Sequence, residues 1–429
     1  VLLLVVSMLV SFSLAGCKEE AAEEGAPAKE EAVAEEEAPA EEEAAEEEVA
    51  DKEPINIGVI GELTGTNAQS GQEMLNGAIL MAEERGNILG HPINVVAGDA
   101  ADEPAAISET TRLATTQNVL AVFGSTNMSN AMAIPRVLQD YGIPMLEIDS
   151  WDDYLTEQGW ENYFQVCQKS SVYAKGVIDR VVDYFAPMLG KEPEELRIAF
   201  IYDDWAENIV GVGIDHLKDE YGVEPVYVSN NPWDTPDYTS VIEEMKAKEP
   251  IDIFIPEQIT QGAVIVRKQM ISLEYNPAVI FAMGVGWEFF EFRDQIGAEN
   301  AEGVFTWSWP ASEMNYEPAK EFGEKYLERF GIESGTYGII SYSTMGVLLD
   351  EIEKILEENG EVTPALVSEA LQKVDIDYGV LPMYWGMKFD PDGTNTKVGD
   401  CNILQWQNGK RVVVWPEEVA SGEPKLNLK

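Results

Sequence analysis

The chain has 429 residues and is 45% apolar, enough for a sizeable folded body and not a wholly disordered polypeptide. Acidic residues number 78 against 28 basic ones, and a formal net charge of −50 repels polyanions, which argues against general binding to nucleic-acid backbones. With only His91, His216, Cys17, Cys167 and Cys401, the composition also argues against a His-rich metal centre, a Cys-ligated zinc cluster and a disulfide framework.

Residues 1–16, VLLLVVSMLVSFSLAG, carry no charge and end in small residues before Cys17. The run is short of the ~20 residues a bilayer-spanning helix needs, and it has the form of a secretory h-region with its cleavage site. The missing initiator Met and basic n-region place the expected start a few residues upstream. Leu14-Ala15-Gly16-Cys17 resembles the lipobox of bacterial lipoproteins, which implies a signal peptide at 1–16 and a lipidated Cys17 as mature N-terminus. The alternative is an apolar core segment with a chance Cys. Residues 18–53 hold 17 acidic and 3 basic side chains. With so little to bury, 17–53 is expected to be a lipidated Cys followed by an acidic Glu/Ala tether, which would span roughly 30–40 Å as a flexible chain. Partial helix in it stays open.

From residue 54 onward the pattern alternates between short β-branched runs and helical periodicity. Strands are expected at 55–61, 92–100, 119–124 and 143–149, with helices at 72–86, 105–117 and 129–142 between them. The series restarts with a helix at 172–185, strands at 197–204, 224–230, 251–256 and 278–284, and helices at 209–220, 238–249 and 263–273. Further helices fall near 317–330, 338–358 and 364–373. Segments 382–394 and 402–416 read as hairpins turning at Asp-Gly and Asn-Gly. Strand–helix–strand alternation means parallel sheets covered on both faces, and two such series mean two doubly wound α/β halves with a cleft between them.

Enzyme signatures are missing: no phosphate-binding G-x-x-x-x-G-K-[ST], no G-x-G-x-x-G after a strand, no H-E-x-x-H and no G-x-S-x-G. The hydroxyls of GSTNMSN (124–130) have no nearby histidine. His91 in a turn and His216 in a helix read as structural or solvent-facing. The carboxylates are too numerous for any pair to be singled out. Nothing asks for catalysis, a cofactor or a metal.

The segment IGELTGTNAQSGQEMLNGAILMAEERGNILGHPINVVAGDAADEPAAI (60–107) resembles the opening of the type I periplasmic binding proteins, nearest the branched-chain amino acid-binding branch that serves ABC transporters. Leu63-Thr64-Gly65, Gly71, Asn76-Gly77, Gly90 and Asp99 carry the likeness. GSTNMSNAMAIPRVLQDYGIPML (124–146), Asp237-Tyr238-Thr239 and Gln405-Trp406 extend it over residues 54–429. It implies two Rossmann-like lobes joined by a three-strand hinge and closing on a ligand. The crossings would fall near 168–172, 303–308 and 378–382, giving lobe 1 as 54–170 plus 304–380 and lobe 2 as 171–303 plus 381–429. The implied function is a non-enzymatic, extracytoplasmic lipoprotein. It would bind an amino acid, branched-chain or aromatic, or a related small carboxylate or amide, and deliver it to a permease. The alternative is a sensory subunit acting on a separate signalling partner.

In open parallel sheets the ligand lies beyond the carboxyl ends of the strands, which selects the loops 62–71, 124–130, 149–154, 203–208, 256–262 and 284–288. Ser125 and Thr126 enter a helix and offer hydroxyls and N–H groups to a carboxylate, or cap that helix. By family position Ser70, Ser125, Ser150, Trp151 and Asp152 fall on the ligand loops of the first lobe. Trp205, Glu257, Gln258 and Trp287 fall on those of the second. This chain departs from the family where amino acid receptors carry a small Ala-Thr-type turn, because it has Asp149-Ser150-Trp151-Asp152-Asp153 there. An α-ammonium would need Asp152, Glu257 or Glu288. Trp151, Trp205 and Trp287 in cleft loops, with Trp307 and Trp309 beside a crossing, suggest an aromatic-lined cleft or core packing, and in the first case a ligand larger, flatter or more apolar than leucine. Cys167 and Cys401 form a disulfide or stay as buried thiols.

Overall fold

The computed structural model describes residues 52–65 and 67–426. The expectations for the signal segment, Cys17 and nearly all of the tether lie outside the described residues.

Two parallel-dominated sheets organise the body. The first runs in the order β2 (Asn87–Ile88), β3 (His91–Asp99), β1 (Ile55–Gly61), β4 (Ala121–Gly124), β5 (Met145–Glu147), β6 (Tyr163–Gln165). Alternation along β1 explains its two covered faces. Ile55, Ile57 and Val59 enter one core, while Ile60 enters another with Val122, Ala131 and Ile134. Register is parallel from Ile55↔Ile93 to Gly61↔Asp99, so the carboxyl ends of β1 and β3 finish side by side.

The second sheet collects β7 (Ile198–Asp203), β8 (Tyr227–Asn231), β9 (Ile253–Glu257), β10 (Val279–Ala282) and β11 (Phe305–Ser308). Two late strands, β14 (Asn402–Gln407) and β15 (Lys410–Trp415), join it antiparallel, giving the order β15-β14-β11-β10-β9-β7-β8. The Asn408-Gly409 turn links the last two as a hairpin, with Asn408 and Gly409 both at positive φ.

Several segments differ from the sequence reading. The 382–394 run does not close on itself as a strand pair. β12 (Asp375–Ile376) pairs antiparallel with β13 (Met387–Lys388), leaving an isolated bridge from Phe389 to Asn395 across the Asp-Gly turn. A second bridge ties Thr394 to Gln165 at the edge of the first sheet. β6 and β11 are three- and four-residue strands that hydrophobic periodicity does not resolve. The helix from Ser170 to Arg180 continues through a wider π turn, Val181–Phe185, into Ala186–Leu189.

Close packing fixes how late helices reach the site. Gly77 on the Ala68–Arg85 helix meets the Thr336–Asn359 helix so closely that a Cβ there would lie 2.2 Å from the Gly338 carbonyl oxygen. This contact sets Thr336 and Tyr337, at the start of the later helix, against the carboxyl ends of the first sheet. Cys167 and Cys401 are buried free thiols, donating to Ser150 O (3.4 Å) and Gln168 Oε1 (3.2 Å) respectively.

Candidate functional site: an acidic, aromatic cavity

A cavity of about 580 Å³ opens beyond the carboxyl ends of both sheets. That lies within the roughly 300–1,000 Å³ of small-molecule sites. First-sheet loops give it Glu62, Asn67, Ser70, Thr126, Asn127 and the run Asp149–Asp152. Second-sheet loops and the following helix give Trp205, Asn208, Ile209, Trp233, Ile259 and Glu288. Tyr173, Trp309, Thr336 and Tyr337 complete the wall.

The first-sheet side is held by buried carboxylates acting as acceptors. Glu62 takes Asn67 Nδ2 at 2.9 Å and also Asn127 Nδ2, bridging two loops. The Glu62 N–H donates to Thr126 Oγ1 at 2.8 Å, so the Thr126 hydroxyl is already engaged with the first loop. Glu147, at the end of β5 and fully buried, accepts the backbone N–H groups of Ser125, Asp149 (3.1 Å) and Ser150 (2.8 Å). The Ser125 hydroxyl lies 3.1 Å from Glu147 Oε2 and 2.8 Å from Ser150 Oγ. Burial pushes the Glu147 carboxyl up to about 7 against the pull of these N–H donors. Asp149 is raised well above the ordinary carboxylate range by burial, with the Glu147 charge adding to it. The helix at 128–139 is capped by Asn127, whose side chain accepts from Asn130 N at 3.0 Å. Asp153 accepts from Ser170 Oγ, Ser171 N and Ser171 Oγ, pinning the 149–153 turn to the start of the next helix.

The second-sheet side is held by aromatic and amide groups. Trp287 is completely buried, and its indole N–H donates to Gln258 Oε1 at 2.9 Å. Gln258 Nε2 in turn donates to the Ile201 carbonyl. The two residues lock the 256–262 and 284–288 loops together inside the second core and do not line the cavity. Glu257 is buried behind that wall with neither carboxylate oxygen partnered, and burial drives its pKa well above the ordinary value. Glu288 does line the cavity. It is 4% exposed, Oε2 has no partner, and burial pushes its carboxyl up to about 7, opposed by the Arg411 charge.

Of the residues selected from sequence, Ser70, Thr126, Ser150, Trp151, Asp152 and Trp205 come together at the cavity, while Ser125, Glu257, Gln258 and Trp287 stand behind its wall. Seven lining residues outside the selected contacts are aromatic or acidic: Glu62, Asp149, Tyr173, Trp233, Glu288, Trp309 and Tyr337. Tyr173 is fixed by its hydroxyl donating to Trp307 O at 2.9 Å and to Met283 O. Glu62 begins the strand-end loop 62–71 selected from the sequence; Tyr337 reaches the cavity through tertiary packing, which no local pattern encodes.

Two doubly wound halves with one shared cavity between their strand ends define a bilobal architecture that can hold a small solute. The comparisons agree on the particular kind. A family model described as "Periplasmic binding protein" matches residues 54–411. "Leu/Ile/Val-binding protein homolog 7" of Brucella abortus (strain 2308) is 28% identical over 381 residues, covering 87% of this chain and 94% of that protein. Homolog 8 of Brucella suis biovar 1 is 27% identical over 375 residues, covering 85% and 91%. Among solved structures, the substrate-binding protein LivJ of Streptococcus pneumoniae in complex with isoleucine superposes with a TM-score of 0.71 at 22% identity, covering 84% of this chain and 98% of that one. A solute-binding protein of R. palustris in complex with benzoate gives 0.69 at 15% identity, covering 88% and 99%. The chain belongs to the periplasmic binding protein family, has its type I fold, and is an extracytoplasmic substrate-binding protein and not an enzyme. Among the described residues no helix is long and apolar enough to cross a membrane.

Proposed function

We propose that the cavity beyond the two sheets takes a small organic solute of amino-acid size and that closure around it presents the protein to an ABC permease. The observation that carries this is the cavity itself: two independent sheets contribute their carboxyl-terminal loops to one enclosure of about 580 Å³. A ligand touching both sides stabilises the arrangement in which they are close, a population shift by differential contact. Isoleucine and leucine in the solved relatives, and benzoate in another, set the size range.

The two lobes follow sheet membership. The first comprises 54–165 with 317–394, the second 170–308 with 402–426, and the chain crosses at 166–169, 309–316 and 395–401. Ser70, Thr126, Ser150, Trp151, Asp152 and Trp205 are the proposed contacts among the loops named from sequence. A lipid on Cys17, with 18–53 as its tether, would hold the protein at the outer face of the membrane. Labelled palmitate incorporated by the protein and lost in Cys17→Ala supports that anchor; equal labelling of the variant refutes it.

Small-angle X-ray scattering with and without solute tests the solute-binding reading. A solute recovered unchanged from the protein by native mass spectrometry should reduce the radius of gyration on re-addition. A recovered molecule that is chemically converted, or no saturable binding across amino acids, amines, acids and amides, would overturn it.

A further inference from the structure

The cavity wall leaves particular groups unpaired, and their sign bears on which solutes fit; this rests on the solute-binding reading above. Glu288 lines the cavity and is 4% exposed, and its Oε2, itself buried, has no hydrogen-bond partner. The buried guanidinium nearby, Arg411, is committed elsewhere. Its Nε and Nη2 grip Glu313 at 2.7 and 3.0 Å, Nη2 also donates to Ser334 O at 3.1 Å, and it reaches Glu288 through that residue's backbone carbonyl at 3.5 Å. Glu62, Asp149 and Asp152 line the same space, and among the described lining residues none is Lys, Arg or His.

An anionic ligand would normally be met by backbone N–H groups at such strand ends. Here an internal carboxylate uses them: Glu147 accepts the N–H groups of Ser125, Asp149 and Ser150. Three strand-end donors are therefore taken up by the protein's own carboxylate.

The remaining wall is aromatic. Trp151 stands edge-to-face against Tyr173 (centroids 4.5 Å, 74°) and against Trp309 (5.4 Å, 90°), and Trp309 against Tyr337 (6.0 Å, 83°). Rings at near right angles make the corner of a box and not a stack, the arrangement that attracts cations through ring quadrupoles. A metal ion is a poor fit to this wall. Among the described residues no three His, Cys, Asp or Glu side chains converge as a ligand set.

We propose that the solute is an organic cation without a free carboxylate: a protonated or quaternary amine on an apolar body. Its positive end sits against Glu288, whose carboxylate Arg411 does not hydrogen-bond, and against the aromatic corner. A carboxylate placed in the same cavity would face Glu62, Asp149 and Glu288 with no basic side chain to meet it.

Titration calorimetry on the purified protein tests this with two matched series. One is 3-methylbutylamine, leucine and 4-methylpentanoate; the other is 2-phenylethylamine, phenylalanine and 3-phenylpropanoate. In at least one series the amine should bind tenfold or more tighter than the amino acid, with the acid not binding. Glu288→Gln should weaken that amine at least tenfold, and Trp205→Ala, at a half-exposed position that leaves the fold intact, two- to fivefold. Should Glu288→Gln fail to fold, the wild-type series and Trp205→Ala still decide. Tighter binding of leucine, phenylalanine or either acid overturns the inference while leaving the solute-binding reading in place. Binding of neither amine overturns it as well, and absence of binding across the wider solute panel removes both.

Discussion

Four buried glutamates divide between the two sides of the cavity by how their oxygens are met. On the first-sheet side, Glu62 and Glu147 are saturated with donors and serve as internal staples for the 62–71, 124–130 and 149–154 loops. On the second-sheet side, Glu257 and Glu288 are equally buried yet carry unpartnered oxygens, and the loops are locked by the neutral pair Trp287–Gln258. A satisfied buried carboxylate is structural, whereas an unsatisfied one is destabilising unless something arrives to pair with it. Composition alone cannot separate these cases, because both sides are rich in Glu. Only the count of donors around each oxygen does.

That contrast breaks most sharply at Glu147. Glu147→Ala strips the acceptor from three buried N–H groups and should cost about 3–5 kcal/mol in urea unfolding. Glu147→Gln, which keeps one oxygen acceptor, should cost less. A loss below about 1 kcal/mol for the alanine variant would show that the staple is dispensable. Trp287→Ala should follow closely, at about 3–5 kcal/mol from lost burial and an orphaned Gln258. Trp205→Ala, on the same side but 40% exposed, should stay within about 0.5 kcal/mol. Equal costs for the two tryptophans would overturn their assignment to core and rim.

Titration sharpens the same comparison. Glu73, Glu147 and Glu288 are each pushed by burial from 4.5 to about 7. Each binds its proton more tightly when folded, so unfolding releases protons between pH 4.5 and about 7. The ligand-free protein should therefore lose stability as pH rises through that window, by on the order of a few kcal/mol, with the penalty absent below it and complete above it. Thermal unfolding at fixed ionic strength checks the direction, and a melting temperature that rises from pH 5 to 7.5 contradicts it. The effect of opposite sign is expected at Glu257. Because both of its oxygens are unpartnered, Glu257→Gln should be neutral or stabilising by about 1 kcal/mol at pH 8. A clear destabilisation would reveal a partner for it.

Much of the fold is legible in the sequence because strands such as VLAVFG and IDIFIP are continuous apolar runs between turn residues, and the helices between them carry clear 3.6-residue spacing. β6 (YFQ) and β11 (FTWS) are not legible, since three or four residues show no period and owe their strand geometry to the neighbouring edge. The site was partly legible through the strand-end rule, which brings Ser70, Thr126, Ser150, Trp151, Asp152 and Trp205 to the cavity. Trp287 sits on an equally good loop, but its indole finds Gln258 in the core, a choice made by tertiary packing. Tyr337 reaches the wall because glycine at 77 lets two helices touch, a fact spread over 260 residues of sequence.

The most direct measurement is calorimetric titration of one solute into the wild-type protein and into Ser150→Trp, which fills the cavity from the first-sheet side. The solute is the one recovered from the protein by native mass spectrometry. One site per chain, with affinity lost at least a hundredfold in the folded variant, is the expected result. Undiminished binding to Ser150→Trp would place the solute elsewhere and contradict the assignment of this cavity as the binding site.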